Sequence, residues 1–380
     1  MLINKWSGNT TSQVSLADDE FGKLYNFCCC HKRIYVFGDG KIGTGLKQYL
    51  INTELPFVGC ITSSNLSVFR AQYVKGDVGI IIGVGDKYIQ GILPSLSGFI
   101  GNRDVFFLTS EKREFLGKHF AFDYVREKFH LNVFVTNVCN LHCRSCSTFA
   151  PICKADNYSY EQFALDIVKF ESLATPINVL KFTGGEPFLH PSIFGFFSKA
   201  REVYPEIRIE CYTNGLLLSK LSDSQKKILN AMKIELTITE YPLTNLDLSA
   251  IYNVLDKHAV SYNVIEKGKQ KYFSKRPLNF DNAVPKHLFI NCPRYKYYSL
   301  FLNNGKLYKC TYAIAAKYFN EYFKTNLSLD DSDFLILNDV ENQTQLFTFL
   351  VNRIPFCGYC EPISELVPWG LSERKLEEWS

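Results

Sequence analysis

Two groups of cysteines carry the types and spacings of metal chemistry. Cys139, Cys143 and Cys146 stand in Asn137-Val138-Cys139-Asn140-Leu141-His142-Cys143-Arg144-Ser145-Cys146. Three thiolates so spaced can converge on three irons of a cubane cluster. Such clusters normally take four Cys thiolates, so a compact group of three leaves one iron open to a small molecule. A structural zinc site would instead fill its tetrahedron. Cys153 is an available fourth ligand, and on this segment alone both readings stand. The second group is Cys292 and Cys310 with Cys357-Gly358-Tyr359-Cys360. By ligand count it satisfies either an all-thiolate zinc site or a [4Fe–4S] cluster. The other cysteines, Cys28, Cys29, Cys30, Cys60, Cys153 and Cys211, read as small buried hydrophobes.

The elements that must position these groups come next. A strand-like run at 131–136 leads straight into the first group, which puts its cysteines on a loop at a strand's end. A second such run, 177–182, ends in Thr183-Gly184-Gly185-Glu186-Pro187. CNLHCRSC followed by a strand and GGEP resembles the radical SAM superfamily. The resemblance implies that the open iron chelates S-adenosylmethionine (SAM), and that the turn of Gly184, Gly185, Glu186 and Pro187 meets its amino group. Glycines allow close backbone approach, and a carboxylate suits an ammonium. Ser145 departs from the pattern, since the family usually has there an aromatic residue near adenine.

From 129 onward strands expected at 131–137, 177–183, 207–213, 233–239 and 260–265 alternate with helices at 159–174, 191–203, 223–232 and 247–258. Such alternation argues for parallel βαβ units, and the family's fold is a partial (β/α)6 barrel. The resemblance also offers Asn214, Thr237, Thr239 and Glu240 as cofactor contacts; ordinary barrel polar residues are the competing reading. Lys181 faces either substrate or solvent. His142 and His190 lie near the motifs, but no catalytic side chain is assigned.

Around the second cysteine group, Tyr297 to Leu302 and Lys306 to Lys309 flank Asn303-Asn304-Gly305, a strong hairpin signal. The order Cys292, Gly305, Cys310 resembles the auxiliary-cluster hairpin of SPASM and twitch domains. With one downstream CxxC it is most similar to the twitch dehydrogenases that oxidise an aminocyclitol alcohol. That resemblance implies a second, auxiliary [4Fe–4S] cluster held by Cys292, Cys310, Cys357 and Cys360, which would accept an electron.

Upstream, 33–37 reads as a strand entering Gly38-Asp39-Gly40-Lys41-Ile42-Gly43, followed by a helical run. Strand, glycines, then helix is the context that makes G-x-G-x-x-G credible. Further strands are expected at 56–62, 78–84 and 104–108, with helices at 16–30 and 87–96. NAD binding needs a carboxylate at the end of the second strand, and Cys60 to Ser64 has none. The module resembles those appended to bacterial sugar-modifying enzymes, which implies a nucleotide or nucleotide-sugar ligand through Gly38, Gly40 and Gly43; a structural or docking role is the alternative.

The fold expected is thus α/β. A Rossmann-like domain over 1–125 precedes the barrel over 126–284, and a twitch-like domain with a tail carrying Trp369 and Trp379 covers 285–380. The chain has 380 residues, with 42 basic and 38 acidic side chains, a balance that does not point to nucleic acid. No signal-peptide-like or membrane-length apolar run is present, so a cytoplasmic protein without membrane contact is expected, where thirteen cysteines serve ligation better than disulfides. The expected function is oxygen-independent oxidation or dehydrogenation of a small polar substrate, such as a sugar, nucleotide sugar or amino sugar. A 5′-deoxyadenosyl radical would abstract hydrogen, and an external flavodoxin- or ferredoxin-type reductant would supply the electron. A peptide-modifying enzyme (epimerisation or cross-linking) and a non-catalytic iron–sulfur scaffold are the alternatives.

Overall fold

The computed structural model describes residues 20–96, 99–242, 248–265, 272–361 and 365–380. The chain divides into two compact units, Met1–Lys118 and His119–Ser380. Residues 16–19, expected to open the first helix, lie outside the described residues.

In the first unit, α1 (Glu20–Cys29) precedes β1 (Arg33–Phe37), α2 (Lys41–Asn52), β2 (Phe57–Ile61), α3 (Leu66–Gln72), β3 (Val78–Ile82), α4 (Asp86–Leu96), β4 (Val105–Phe106) and α5 (Ser110–His119). The strands form one parallel sheet in the order β2-β1-β3-β4. Val78, Ile80, Ile81 and Ile82 are all buried. A central parallel strand covered on both faces requires such an unbroken apolar run. Two glycines of the loop after β1 are obligatory. Gly38 has φ +109°, and a Cβ on Gly43 would come within 2.1 Å of the Gly38 carbonyl oxygen. Gly40 is different, because nothing lies within 4 Å of a Cβ placed there.

The second unit opens with α6 (Phe122–Lys128) and β5 (His130–Thr136), then alternates: α7 (Tyr160–Ser172), β6 (Val179–Gly184), α8 (Ile193–Val203), β7 (Arg208–Thr213), α9 (Asp223–Ala231), β8 (Ile234–Thr239), α10 (Leu248–Lys257) and β9 (Tyr262–Ile265). Strands β5 to β9 pair in parallel and in chain order. The chain goes on through β10 (Tyr272–Lys275), α11 (Pro293–Lys296), β11 (Ser299–Asn303), β12 (Lys306–Tyr308), α12 (Thr311–Phe323), β13 (Phe334–Ile336), α13 (Gln343–Val351) and β14 (Glu365–Pro368). A further parallel strand, β11, joins the opposite edge beside β5, and β12 and β13 extend that edge antiparallel. The hairpin and the barrel therefore share one eight-stranded sheet. Asn304 (φ 45°) and Gly305 (φ 74°) make the left-handed turn that Asn-Gly favours. The Gly305 amide donates to buried Asp166 of α7 at 2.7 Å, which ties the hairpin to the barrel.

Successive strand residues point to opposite faces, and the two faces of this sheet differ sharply. Leu131, Val133, Val135, Leu180, Phe182, Ile209, Leu236 and Ile238 are fully buried in one core, against Phe163, Phe170, Phe196 and Phe197 of α7 and α8. The alternate positions His130, Asn132, Lys181, Thr183, Glu210, Tyr212, Glu235, Thr237 and Thr239 give the concave face its polarity. It carries the site.

Candidate functional site

The loop after β5 carries Cys139, Cys143 and Cys146 at the mouth of a cavity of about 460 Å³. His142 (φ 50°), Ser145 (φ 55°) and Phe149 (φ 54°) of this loop are left-handed, a conformation that costs about 1–2 kcal/mol per non-glycine residue. The fold holds the loop from several sides. Gly185 N donates to Thr136 O at 2.7 Å and Glu186 N to Val138 O at 2.8 Å. A Cβ on Gly184 or Gly185 would strike those same carbonyls, at 2.2 and 2.1 Å. The two glycines are thus demanded by contact with the cysteine loop itself. Asn214 Nδ2 donates to Asn140 Oδ1 at 2.8 Å and lies 3.9 Å from the Cys139 sulfur. Thr311, next to Cys310, donates its hydroxyl to Ser147 O at 2.8 Å.

The C-terminal tail is the remaining clamp. Arg144 N donates to Gly370 O (2.8 Å) and Ser372 N to His142 O (2.9 Å). Ser145 Oγ donates to Glu378 O at 2.7 Å, and the Trp379 indole N–H donates to Cys146 O at 3.0 Å. The Ser145 hydroxyl thus fastens the tail. Trp379 is fully buried against Phe149, Phe319 and Phe323. Nothing in the tail's spacing signals this contact.

Glu186 does not line the cavity. Expected to meet an ammonium, its carboxylate is instead wholly buried and accepts from Thr213 Oγ1 (2.7 Å), Asn214 N (2.9 Å) and Phe188 N (3.3 Å). Burial pushes its pKa up to about 7, against the pull of those donors. Gly184, Gly185, Asn214 and Thr239 do line the cavity. Pro187 is buried at the start of a 3-10 turn and Thr237 is buried, neither of them lining it. Glu240 accepts from Tyr252 Oη at 2.7 Å. His190 is held by Tyr158 O (2.9 Å) and Ser192 N (3.1 Å), a structural bracket, and His142 is exposed.

Sequence reasoning missed Tyr241, Phe273 and Trp369. Tyr241 stacks against Phe273 (6.1 Å between centroids) and lies 5.8 Å from Trp369. Phe273 and the approach to Trp369 belong to the paired strands β10 and β14. Tyr241 and Phe273 line the cavity, and Tyr241 feels the charges of all three cysteines. Farther along the cavity come His130, Asn132, Lys181, Tyr212, Arg294, Tyr297 and Ser299. Lys181 is 3.8 Å from Glu210, which also meets Arg208 (2.9 Å), itself paired with Glu235 (2.6 Å), so this ladder is charge-balanced. Burial lowers the His130 pKa to about 4, and its Nδ1 is buried without a partner.

The second cysteine group converges as well. Cys292, Cys310, Cys357 and Cys360 line one pocket with Arg276, Arg294, Tyr295, Lys309 and Tyr312. The first group fits a cluster by its chemistry: burial raises the Cys139 thiol to about 11, while the amides of Leu141 and His142 point at its sulfur and favour thiolate. Burial raises all four thiols of the second group. Among the described residues, no three His, Cys, Asp or Glu side chains are arranged to hold a single metal ion. A cubane spreads its thiolates over separate corners, wider than one ion does. Cys153 donates to Thr148 O at 3.6 Å and does not line the cavity.

Residues 133–239 match the radical SAM superfamily. The chain carries a radical SAM domain. That family uses a [4Fe–4S] cluster and SAM, and the matched segment runs from β5 to the end of β8. Over 101 residues the chain is 33% identical to the GTP 3',8-cyclase of Helicobacter pylori (strain HPAG1), covering 26% of this chain and 31% of that protein. Over 108 residues it is 36% identical to the GTP 3',8-cyclase of Chlorobaculum tepidum, covering 27% and 28%. The chain thus spans about a third of the length of these curated relatives. Among solved structures, BtrN in complex with AdoMet and 2-DOIA overlaps 61% of this chain and 92% of its own, with 16% identity and a TM-score of 0.37. Among the described residues no helix is long and apolar enough to cross a membrane.

Proposed function

We propose that this protein is a radical SAM enzyme that oxidises a small, polar, hydroxyl-bearing substrate such as a sugar, amino sugar or nucleotide sugar. One observation carries the reading: the three-cysteine cavity and the four-cysteine pocket share a wall. Arg294 and Thr311 line both, and Thr311 joins the two cysteine segments by its bond to Ser147. When bound, a cluster with SAM at Cys139, Cys143 and Cys146 supplies a hydrogen-abstracting radical, and an auxiliary cluster at Cys292, Cys310, Cys357 and Cys360 supplies a one-electron acceptor. The chain's own residues orient and exclude. Gly184, Gly185 and Asn214 fix the cavity edge beside the cysteines, and Tyr241 and Phe273 give it an apolar wall, with Trp369 packed against Tyr241. Asn132, Tyr212, Tyr297 and Ser299 present neutral donors and acceptors suited to hydroxyl groups. His130, neutral at pH 7, lines the same wall.

For the first unit, Gly38 and Gly43 serve packing while Gly40 leaves open space at the start of α2, where a nucleotide or nucleotide-sugar phosphate would approach. An oxidising role is tested anaerobically with SAM, a reductant and a panel of aminocyclitols, UDP-, GDP- and CDP-sugars and GTP. The expected product is two hydrogens lighter than its substrate. The Cys292→Ala/Cys310→Ala variant should still cleave SAM yet release no oxidised product. Normal product yield from that variant would contradict the oxidative reading.

A further inference from the structure

The four-cysteine pocket is bounded by more cations than its thiols call for. Arg276, Arg294, Lys309 and Arg353 line it, and no aspartate or glutamate does. Among the described residues neither Arg276 nor Arg294 forms an ion pair with a carboxylate. The Nε atoms of Arg276 and Arg294 are buried without a hydrogen-bond partner. Arg294 lies over the Phe301 ring at 5.1 Å, and Lys309, only 4% exposed, over that of Tyr295 at 4.0 Å. Lys309 also donates to the Asn352 carbonyl. Between them they reach every sulfur: Arg276 acts on Cys292, Cys310 and Cys360, Arg294 on Cys292 and Cys310, and Lys309 on Cys292 and Cys357.

A guanidinium cannot shed its proton in a protein, and an unpaired buried charge is strongly unfavourable. This pocket is therefore built around a multiply charged anion. An all-thiolate [4Fe–4S] group is a dianion when oxidised and a trianion when reduced by one electron. Fixed buried guanidiniums favour the trianion over the dianion. Resting on the auxiliary-cluster reading above, we propose that Arg276 and Arg294 form a cation cage that favours the reduced cluster and so makes it the electron acceptor. The balance is simple. Once a hydrogen atom has left the carbinol carbon, that carbon gives one electron to the cluster and its hydroxyl gives one proton to the cavity, leaving a C=O bond. Arg294, in the shared wall, belongs to both the donor and the acceptor side of this transfer.

The test is a potential, not a rate. In the full chain carrying Cys139→Ala, Cys143→Ala and Cys146→Ala, any remaining cluster signal belongs to the second site. Its midpoint is then read by redox titration with paramagnetic resonance detection. Arg276→Gln and Arg294→Gln should each shift the reduction equilibrium at least about tenfold toward the oxidised form, or about 59 mV for one electron. Arg276→Lys, which keeps the charge, should stay within that margin. Where Arg276→Gln fails to hold iron, Arg294→Gln decides. Unmoved midpoints in variants that keep about four irons would overturn the cage alone. Zinc, or no redox-active metal, in the triple-variant background would overturn the auxiliary-cluster reading and the cage with it.

Discussion

Trp379→Ala should loosen the loop that carries Cys139, Cys143 and Cys146, although the two segments are far apart in sequence. The indole is fully buried, touches Phe149, Phe319 and Phe323, and donates to the Cys146 carbonyl at 3.0 Å. Emptying a buried Trp site costs about 3–5 kcal/mol. The lost donor adds on the order of 1 kcal/mol. At about 2 °C per kcal/mol for a unit of this size, melting of the larger unit should fall by roughly 8–12 °C. Calorimetry on the iron-free protein reads that number. The same variant, reconstituted anaerobically, should lose iron from the first site faster than the wild type under a chelator. Trp379→Phe separates packing from hydrogen bonding and should show a much smaller drop. Wild-type melting and iron retention in Trp379→Ala would refute the clamp.

Burial raises the Glu186 pKa from 4.5 to about 7, so the folded state binds that proton more tightly than the unfolded chain. The stability it lends is complete below the unfolded pKa and is lost as pH rises through about 7. On the order of 3 kcal/mol of pH dependence between pH 5 and 8 should vanish in Glu186→Gln, and parallel urea-unfolding profiles for the two proteins would contradict this. Thr213→Val removes one charge-assisted donor to Glu186 and should destabilise the iron-free protein by about 1.5–3 kcal/mol; unchanged unfolding would deny the brace. In the first unit, Gly43→Ala should destabilise strongly because its Cβ meets Gly38 O, whereas Gly40→Ala should melt like wild type. Equal effects in thermal scans would disprove that distinction.

The barrel was legible because each strand obeys one rule. From β5 to β8 the alternate residues enter a single apolar core, so element types followed from periodicity to within two residues at each end. The cysteines were legible through spacing, and the hairpin through Asn304-Gly305. What escaped was direction and long-range contact. GGEP announces Glu186 by type, but only the approach of Thr213 and Asn214 turns its carboxylate inward. Residues 370–380 have no periodicity, because they act through individual bonds to loop backbone. Arg276 follows Lys275 and Arg294 stands two residues before Lys296, and nothing local distinguishes them from solvent-facing charges. The pairing of β11 with β5, which draws the second cysteine group onto the barrel's own sheet, is a contact between segments too distant for local pattern to register.

The most direct test of the account is SAM cleavage. Anaerobically reconstituted wild-type protein, given SAM and a low-potential reductant, should yield 5′-deoxyadenosine and methionine, measured by mass spectrometry. Cys143→Ala, lacking one ligand of the open cluster, should yield neither while its first unit still melts as in wild type. Continued 5′-deoxyadenosine formation by Cys143→Ala, or none by an iron-replete wild type, would contradict the account at its centre.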